Sequence, residues 1–501
     1  MLHGFLTALS EMASWHVMLS MLVGLLAGYA VGALPGLSSS IGIALLIPFT
    51  FAMPPVDSIV MLVTLYVATE YAGAIPAILV NTPGIPAAAI TALDGYPMRM
   101  RGEAGAALTL SILSAAFGSM LSTILLIVTA TWLASIALAF GPAEYFAIAV
   151  LGLSLVSSLS GHSMLKGFVG LFFGLGIGLI GIDPIDGVTR YVFTDNLLSG
   201  VTFLPALIGL FALSSIFGMI EESFHPIAPL DKLPSVFAQF GLMKPHFWTL
   251  VRSTLIGYLV SVVPGHGATI SAVVSYAFQK RMSKHPESFG TGNPEGVVAS
   301  ETGANASVAG ALAPMLALGI PGSASTAILI GALTLHGVQP GPLLFVKNPE
   351  IPYSIFIAMI VTMPFMVVLG LGGVRLWVRV TQVPKRIIGP VVTALCLLGS
   401  YASQNDVFAM WITLFFGIVG YILKKIDVQP APIVLALILG YLTETNFRRA
   451  LLASSGDLTT FVTSPISVVC FVAAIGVFIL PFIRRKSGSA VEGLSGVQTH
   501  T

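Results

Sequence analysis

The chain has 501 residues, of which 56% are hydrophobic and only 9% charged. A soluble globular domain carries roughly 25% charged residues, so no water-facing surface can be built over this composition. Lys and Arg at 22 against Asp and Glu at 21 leave a net charge of +1, which excludes a basic nucleic-acid binder and an acidic tail protein.

Residues 1–14 hold no Lys or Arg ahead of the first apolar run and so lack the positive region of a cleavable signal peptide; the first hydrophobic segment is expected to be retained. A membrane-crossing helix needs about 20 mainly apolar residues. Such stretches fall near 15–34, 57–80, 104–130, 134–159, 164–182 and 202–220. After a polar connection they recur near 246–263, 296–318, 352–378, 386–401, 404–423, 430–446 and 463–483. The pattern predicts an all-α polytopic integral membrane protein with about 11–13 transmembrane helices. Its expected organisation is a short N-terminal segment (1–14), a first transmembrane repeat (15–220), a connecting loop (221–245), a second repeat (246–483) and a disordered tail (484–501) with nothing to bury.

Basic residues cluster at Lys280/Arg281/Lys284, Arg375/Arg379/Lys385/Arg386, Lys424/Lys425 and Arg484/Arg485/Lys486, while the first 98 residues contain none. The positive-inside rule puts these clusters and the C-terminus in the cytoplasm. Arg448/Arg449 conflict with that reading unless 430–446 is re-entrant. Cys396 and Cys470 lie in apolar runs without a CxxC or His-rich neighbourhood and read as packing residues. His162, His266 and His336 likewise read as structural.

Pro35-Gly36 follows the first apolar stretch and is trailed by Ser38, Ser39 and Ser40; Pro264-Gly265 follows the seventh and precedes Thr269. Further on, Asn81-Thr82-Pro83-Gly84 in the first half answers Pro321-Gly322-Ser323, with Ser325 and Thr326, in the second. Between the two breaks of each half lies one carboxylate in apolar company, Glu70 and then Glu301. Duplicated, Pro/Gly-interrupted segments are the mark of transporters built from two repeats, here expected to be inverted, with substrate and ion sites at the broken or re-entrant helices. A helix starting after such a break presents unpaired N–H groups and the positive end of its dipole, which can hold a carboxylate. The Ser and Thr hydroxyls add donors without the desolvation cost of an arginine in lipid, so an anionic substrate fits and a cationic one does not. Glu70 and Glu301, if buried, would bind Na⁺, pair with a base or carry a proton. Asp94-Gly95 with Arg99 and Arg101 reads most simply as a solvated turn, with Asp94 kept as a third candidate for ion coupling.

The run from Tyr66 to Gly84, continuing through Thr91 and Asp94-Gly95-Tyr96-Pro97-Met98, resembles the large membrane subunit of the tripartite tricarboxylate transporters, the TctA family. The second half is similar to the family in Glu295-Gly296-Val297, Glu301, Asn305-Ala306, Leu318 to Ser323 and Gly337 to Phe345. It departs where paired Asn residues are usual, at Ala304-Asn305, and where a Gly-Gly-Ser-like stretch is usual, at Ala72-Gly73-Ala74. The resemblance covers roughly residues 15 to 480. It implies a small di- or tricarboxylate substrate, contacts that include Asn305, and coupling to a Na⁺ or H⁺ gradient with no other cofactor and no ligand set assigned for Na⁺. It also implies residence in a bacterial inner membrane and two partners, a small four-helix membrane subunit and a periplasmic solute-binding protein. A single-component symporter or a channel would also explain the spans. An intramembrane enzyme finds no support, since HExxH, a Gly-x-Gly-Asp pair and a P-loop are all missing.

Overall fold

The computed structural model describes residues 2–157, 164–183, 185–221, 236–265, 267–381 and 383–476. His162, His266 and the tail at 484–501 lie outside them. The regular secondary structure of these residues is helical apart from one two-stranded antiparallel hairpin, Gly181–Ile182 with Thr189–Arg190.

Among the described residues, six helices are long and apolar enough to cross a membrane: Trp15–Ala33, Pro55–Val80, Ala104–Ala137, Glu350–Gly372, Arg386–Gln404 and Val407–Lys425. Their outer faces expose Val128, Trp132, Leu398, Trp411 and Phe415, side chains that a water-soluble protein would cover. The remaining expected spans are shorter or more polar. The stretch 134–159 is split by a turn at 138–141, and 164–182 yields a helix of 15 residues, Met164–Gly178. The stretch 296–318 lies in Pro294–Leu318, which carries Ser300, Glu301, Thr302, Asn305 and Ser307 and is sheathed by other helices. Polar side chains of this density need protein around them, because lipid satisfies none of them.

The chain packs as two compact units, Met1–Leu138 with Val201–Ile426, and Ala139–Gly200 with the segment from Asp427 onward. In the larger unit one order of elements occurs twice. Trp15–Ala33, a break at Pro35-Gly36, the short Ser39–Thr50, the acidic Pro55–Ala72 continued by Ala74–Val80, a second break and the short Ala88–Met100 make up the first series. The second is Phe247–Val262, a break at Pro264-Gly265, Gly267–Met282, the acidic Pro294–Leu318, a second break and the short Ala324–Leu335.

In both series the first helix lies against the acidic one through glycine. A Cβ on Gly28 would stand 2.5 Å from the Leu65 carbonyl oxygen, and one on Gly257 would stand 2.3 Å from that of Gly303. Small residues let helix backbones approach this closely, which is how helices gain contact when lipid supplies no hydrophobic drive. Thr69 seals the first interface, donating its hydroxyl to Leu65 O at 2.8 Å and Gly28 O at 3.2 Å. Gly28→Val should therefore destabilise the fold by about 1–3 kcal/mol, the usual cost of overpacking, read as a lowered unfolding midpoint in detergent. An unchanged midpoint would show that the helices can separate freely.

The smaller unit holds Pro142–Ser157, Met164–Gly178 and Pro430–Ala453, with Phe146 packed on Phe447, Phe461 and Phe471. Pro430–Ala453 is one unbroken helix of 24 residues. Arg448 is accounted for by ion pairing: its guanidinium meets Asp183 at 2.9 Å and Asp186 at 2.6 Å. Arg190 joins the same group through Asp183 and, at 2.8 Å, Glu444. Desolvation works to raise the Asp183 carboxyl, but the N–H groups of Ile185 and Asp186 and the two guanidinium groups outweigh it and hold the pKa down to about 2. Asp and Glu contribute little to the basic-loop bias, so these ion pairs leave Arg448 counted in it, and the conflict of Arg448/Arg449 with the cytoplasmic placement of the neighbouring clusters stands.

Candidate functional site

The first polar centre forms around Glu70, a buried residue of Pro55–Ala72. Ser39 Oγ donates to Glu70 Oε1 at 2.6 Å and lies 2.8 Å from Ser325 Oγ. Ser39 opens the helix Ser39–Thr50, and Ser325 is the second residue of Ala324–Leu335. The starts of two short helices, one from each series, thus meet above a single carboxylate. Their far ends meet too, where His336 Nε2 lies 3.2 Å from Thr50 Oγ1, so the pair runs parallel and His336 is structural.

Local sequence explains both starts. Gly36, at φ +89°, turns the chain after the first helix, and Ser38 caps Ser39–Thr50 by accepting from Ile41 N. Gly319, at φ +73°, closes Pro294–Leu318 in the left-handed conformation. Ser323 and Thr326 then form a reciprocal capping box, Thr326 N donating to Ser323 Oγ at 3.2 Å and Ser323 N to Thr326 Oγ1 at 2.8 Å. Ser38 and Ser40 share a hydrogen bond of 2.7 Å, and the Tyr66 hydroxyl lies 3.2 Å from Ser323 Oγ. The other first-turn N–H groups have no intrahelical carbonyl, so two positive dipole ends converge here.

The second centre surrounds Glu301, which is buried in Pro294–Leu318. Thr91 Oγ1 donates to its Oε1 at 2.5 Å and Ser111 Oγ to its Oε2 at 3.1 Å. Thr91 also lies 3.0 Å from Ser300 Oγ. Thr91 sits on Ala88–Met100, the short helix after the second break of the first series. Each series therefore sends its second short helix to the acidic helix of the other. Asn305, one turn beyond Glu301, donates Nδ2 to the Glu301 carbonyl at 3.0 Å.

Asp94 is not a solvated turn. It lies fully buried within the helix Ala88–Met100 and accepts from the Tyr276 hydroxyl at 2.8 Å and from the N–H groups of Gly290, Gly292 and Asn293 at 2.8, 2.8 and 2.7 Å. Asn293 in turn caps the Glu301 helix by accepting from Glu295 N. With its oxygens filled by four donors, this carboxylate anchors a loop.

The remaining sequence candidates separate from these centres. Asn81 ends Ala74–Val80 in the left-handed conformation and is exposed; Thr82 is also exposed and returns its hydroxyl to Val80 O at 3.3 Å. Among the described residues no hydrogen bond joins either of them to Ser323. Pro83 and Gly84 form a closed turn, Gly84 N donating to Gly73 O at 3.1 Å while a Cβ on Gly84 would strike Gly32 O. Gly322, after Pro321, packs against Ala311, and Thr269 is exposed on Gly267–Met282. Sequence reasoning misses Tyr66, Thr91, Ser111 and Tyr276 as site residues, because their partners lie 257, 210, 190 and 182 positions away. Among the described residues, no group of three or more His, Cys, Asp or Glu side chains gathers in one place.

The model of the tripartite tricarboxylate transporter TctA family matches residues 18–435. The chain is 35% identical over 468 residues to an Agrobacterium vitis protein described as "Uncharacterized 52.8 kDa protein in TAR-I ttuC' 3'region", covering 93% of each. It is also 35% identical over 237 residues, 46% of this chain and 96% of the relative, to the "Uncharacterized protein in TAR-II ttuC' 3'region" of the same organism. No solved structure matches the chain. With a helical architecture, six helices among the described residues fit to cross a membrane and a family match over most of its length, the chain is a multi-pass membrane protein belonging to the tripartite tricarboxylate transporter TctA family.

Proposed function

We propose that this chain is the substrate-translocating subunit of a secondary uptake system for a small di- or tricarboxylate in a bacterial inner membrane, with its C-terminus in the cytoplasm. A small four-helix membrane subunit and a periplasmic solute-binding protein complete the system, and a Na⁺ or H⁺ gradient drives it. The observation that carries this reading is the meeting of two helix starts at Ser39 and Ser325, 2.8 Å apart above Glu70. Converging N–H and hydroxyl donors make an anion site. The two short helices have 12 residues each, about 18 Å of length, too little for a bilayer core of about 30 Å.

Glu70 supplies the coupling. An ionised Glu70 already occupies the donors that a substrate carboxylate needs, and two like charges repel strongly away from bulk water. Neutralising Glu70 with a proton or a cation frees the site for the substrate, so substrate and coupling ion load together.

Uptake by proteoliposomes containing the chain and its two partners tests the reading. A hydrogen bond to a charged group contributes about 1.5–3 kcal/mol, so Ser325→Ala should weaken substrate affinity roughly tenfold or more. Thr82→Val, at an exposed position, should leave affinity nearly unchanged. The reverse pattern would move the site to the Asn81-Thr82 turn, and failure to accumulate any carboxylate against its gradient would refute secondary transport.

A further inference from the structure

We propose that Glu301, Asn305, Ser114 and Thr302 bind a sodium ion within the helix bundle of the larger unit, at a site separate from Glu70. Its coupling role rests on the transport reading above; the binding itself does not.

The case starts from polar atoms without partners. Asn305 Oδ1, Ser114 Oγ and Thr302 Oγ1 are all buried and, among the described residues, have no hydrogen-bonding partner. Buried polar atoms are almost always satisfied, so three on two neighbouring helices call for a partner. The amide orientation of Asn305 is settled by its surroundings: its other end faces the Glu301 carbonyl, an acceptor, so that end must be the NH₂ and the free end the oxygen.

Their residues border one helix–helix interface. Glu301 and Asn305 are four residues apart on one helix, and Ser111 and Ser114 three apart on Ala104–Ala137, so each pair lies on one face. The bond from Ser111 Oγ to Glu301 Oε2 at 3.1 Å sets those faces against each other. One turn beyond Ser114, a Cβ on Gly118 would stand 2.7 Å from Thr302 O and 3.1 Å from Thr302 Cγ2, so Thr302 also faces this helix.

The atom types select the ligand. The interface offers carboxylate, amide and hydroxyl oxygens, and among the described residues no Lys, Arg or His nitrogen pairs with Glu301. A proton on Glu301 would satisfy one neighbour and leave Asn305 Oδ1 unpaired, whereas a hard cation takes several oxygen ligands at once. One carboxylate balances one positive charge, so a monovalent ion leaves the buried site neutral and a divalent ion does not.

The test is binding of radioactive sodium to the purified chain in lipid nanodiscs, in choline buffer at a fixed alkaline pH, without substrate or partner proteins. Wild type and Ser10→Ala, a change at an exposed site, should bind sodium saturably. Glu301→Gln and Asn305→Leu should each lower the affinity roughly tenfold or more, and the volume-conserving Thr302→Val should do so to a smaller degree. Each variant is first shown to unfold cooperatively. Absence of saturable sodium binding by wild type, equal affinity in the folded variants, or equal displacement by potassium overturns the assignment. Intact sodium binding without carboxylate uptake would count against the transport reading and leave the site standing.

Discussion

Glu70→Gln should abolish concentrative uptake while leaving substrate exchange across the membrane intact. Two unit charges about 4 Å apart at an effective dielectric constant of about 20 repel by about 4 kcal/mol, roughly a thousandfold in affinity. That is the penalty a substrate carboxylate meets beside an ionised Glu70, whose own donor, Ser39 at 2.6 Å, is part of the same site. Glutamine keeps the shape and removes the charge, so the variant stays in the state that wild type reaches only with its coupling ion. Substrate should then bind to it without that ion, and an ion gradient should no longer drive accumulation. Proteoliposomes loaded with unlabelled substrate measure exchange, and the same vesicles with imposed pH and Na⁺ gradients measure accumulation. Wild-type accumulation by Glu70→Gln would remove Glu70 from the coupling mechanism.

A second large effect is expected at Asp94, on stability. Its four donors come from Tyr276 and from the N–H groups of Gly290, Gly292 and Asn293, so truncation leaves all four buried or partly buried without an acceptor. A hydrogen bond to a charged group contributes about 1.5–3 kcal/mol, and Asp94→Ala should therefore cost at least about 3 kcal/mol. Gly290 and Gly292 have φ of +89° and +104°, so the loop depends on this carboxylate to hold an otherwise weakly favoured path. Asp94→Asn should be much milder, since its amide oxygen can still accept the three N–H groups and its NH₂ can donate to the Tyr276 oxygen. Unfolding midpoints in detergent and amide hydrogen exchange at 290–293 give the comparison. If Asp94→Ala keeps wild-type protection at those amides, the anchoring role is refuted.

The linear order of residues was enough to establish the class of protein, because a membrane segment is defined by composition over a short window and 9% charge admits no other surface. It was enough, too, to mark where helices break, since proline removes a backbone donor and glycine admits positive φ wherever they occur; Gly36, Gly265 and Gly319 all adopt it. Glu70 and Glu301 stood out for the same reason, as single charges in apolar company. Partnership was beyond its reach. Ser39 and Ser325 are 286 positions apart and Thr91 and Glu301 210, and no periodicity connects them. Asp94 looked like part of a solvated turn beside Gly95, yet packing against the 290–293 loop buries it, because four donors offset the cost of taking a carboxylate out of water. The Asn81-Thr82 turn looked equivalent to Ser323, but only Ser323 begins a helix whose start faces another helix start. A break is a local property of the chain, whereas a binding site needs donors brought together from distant segments, and only the packed helices bring them together.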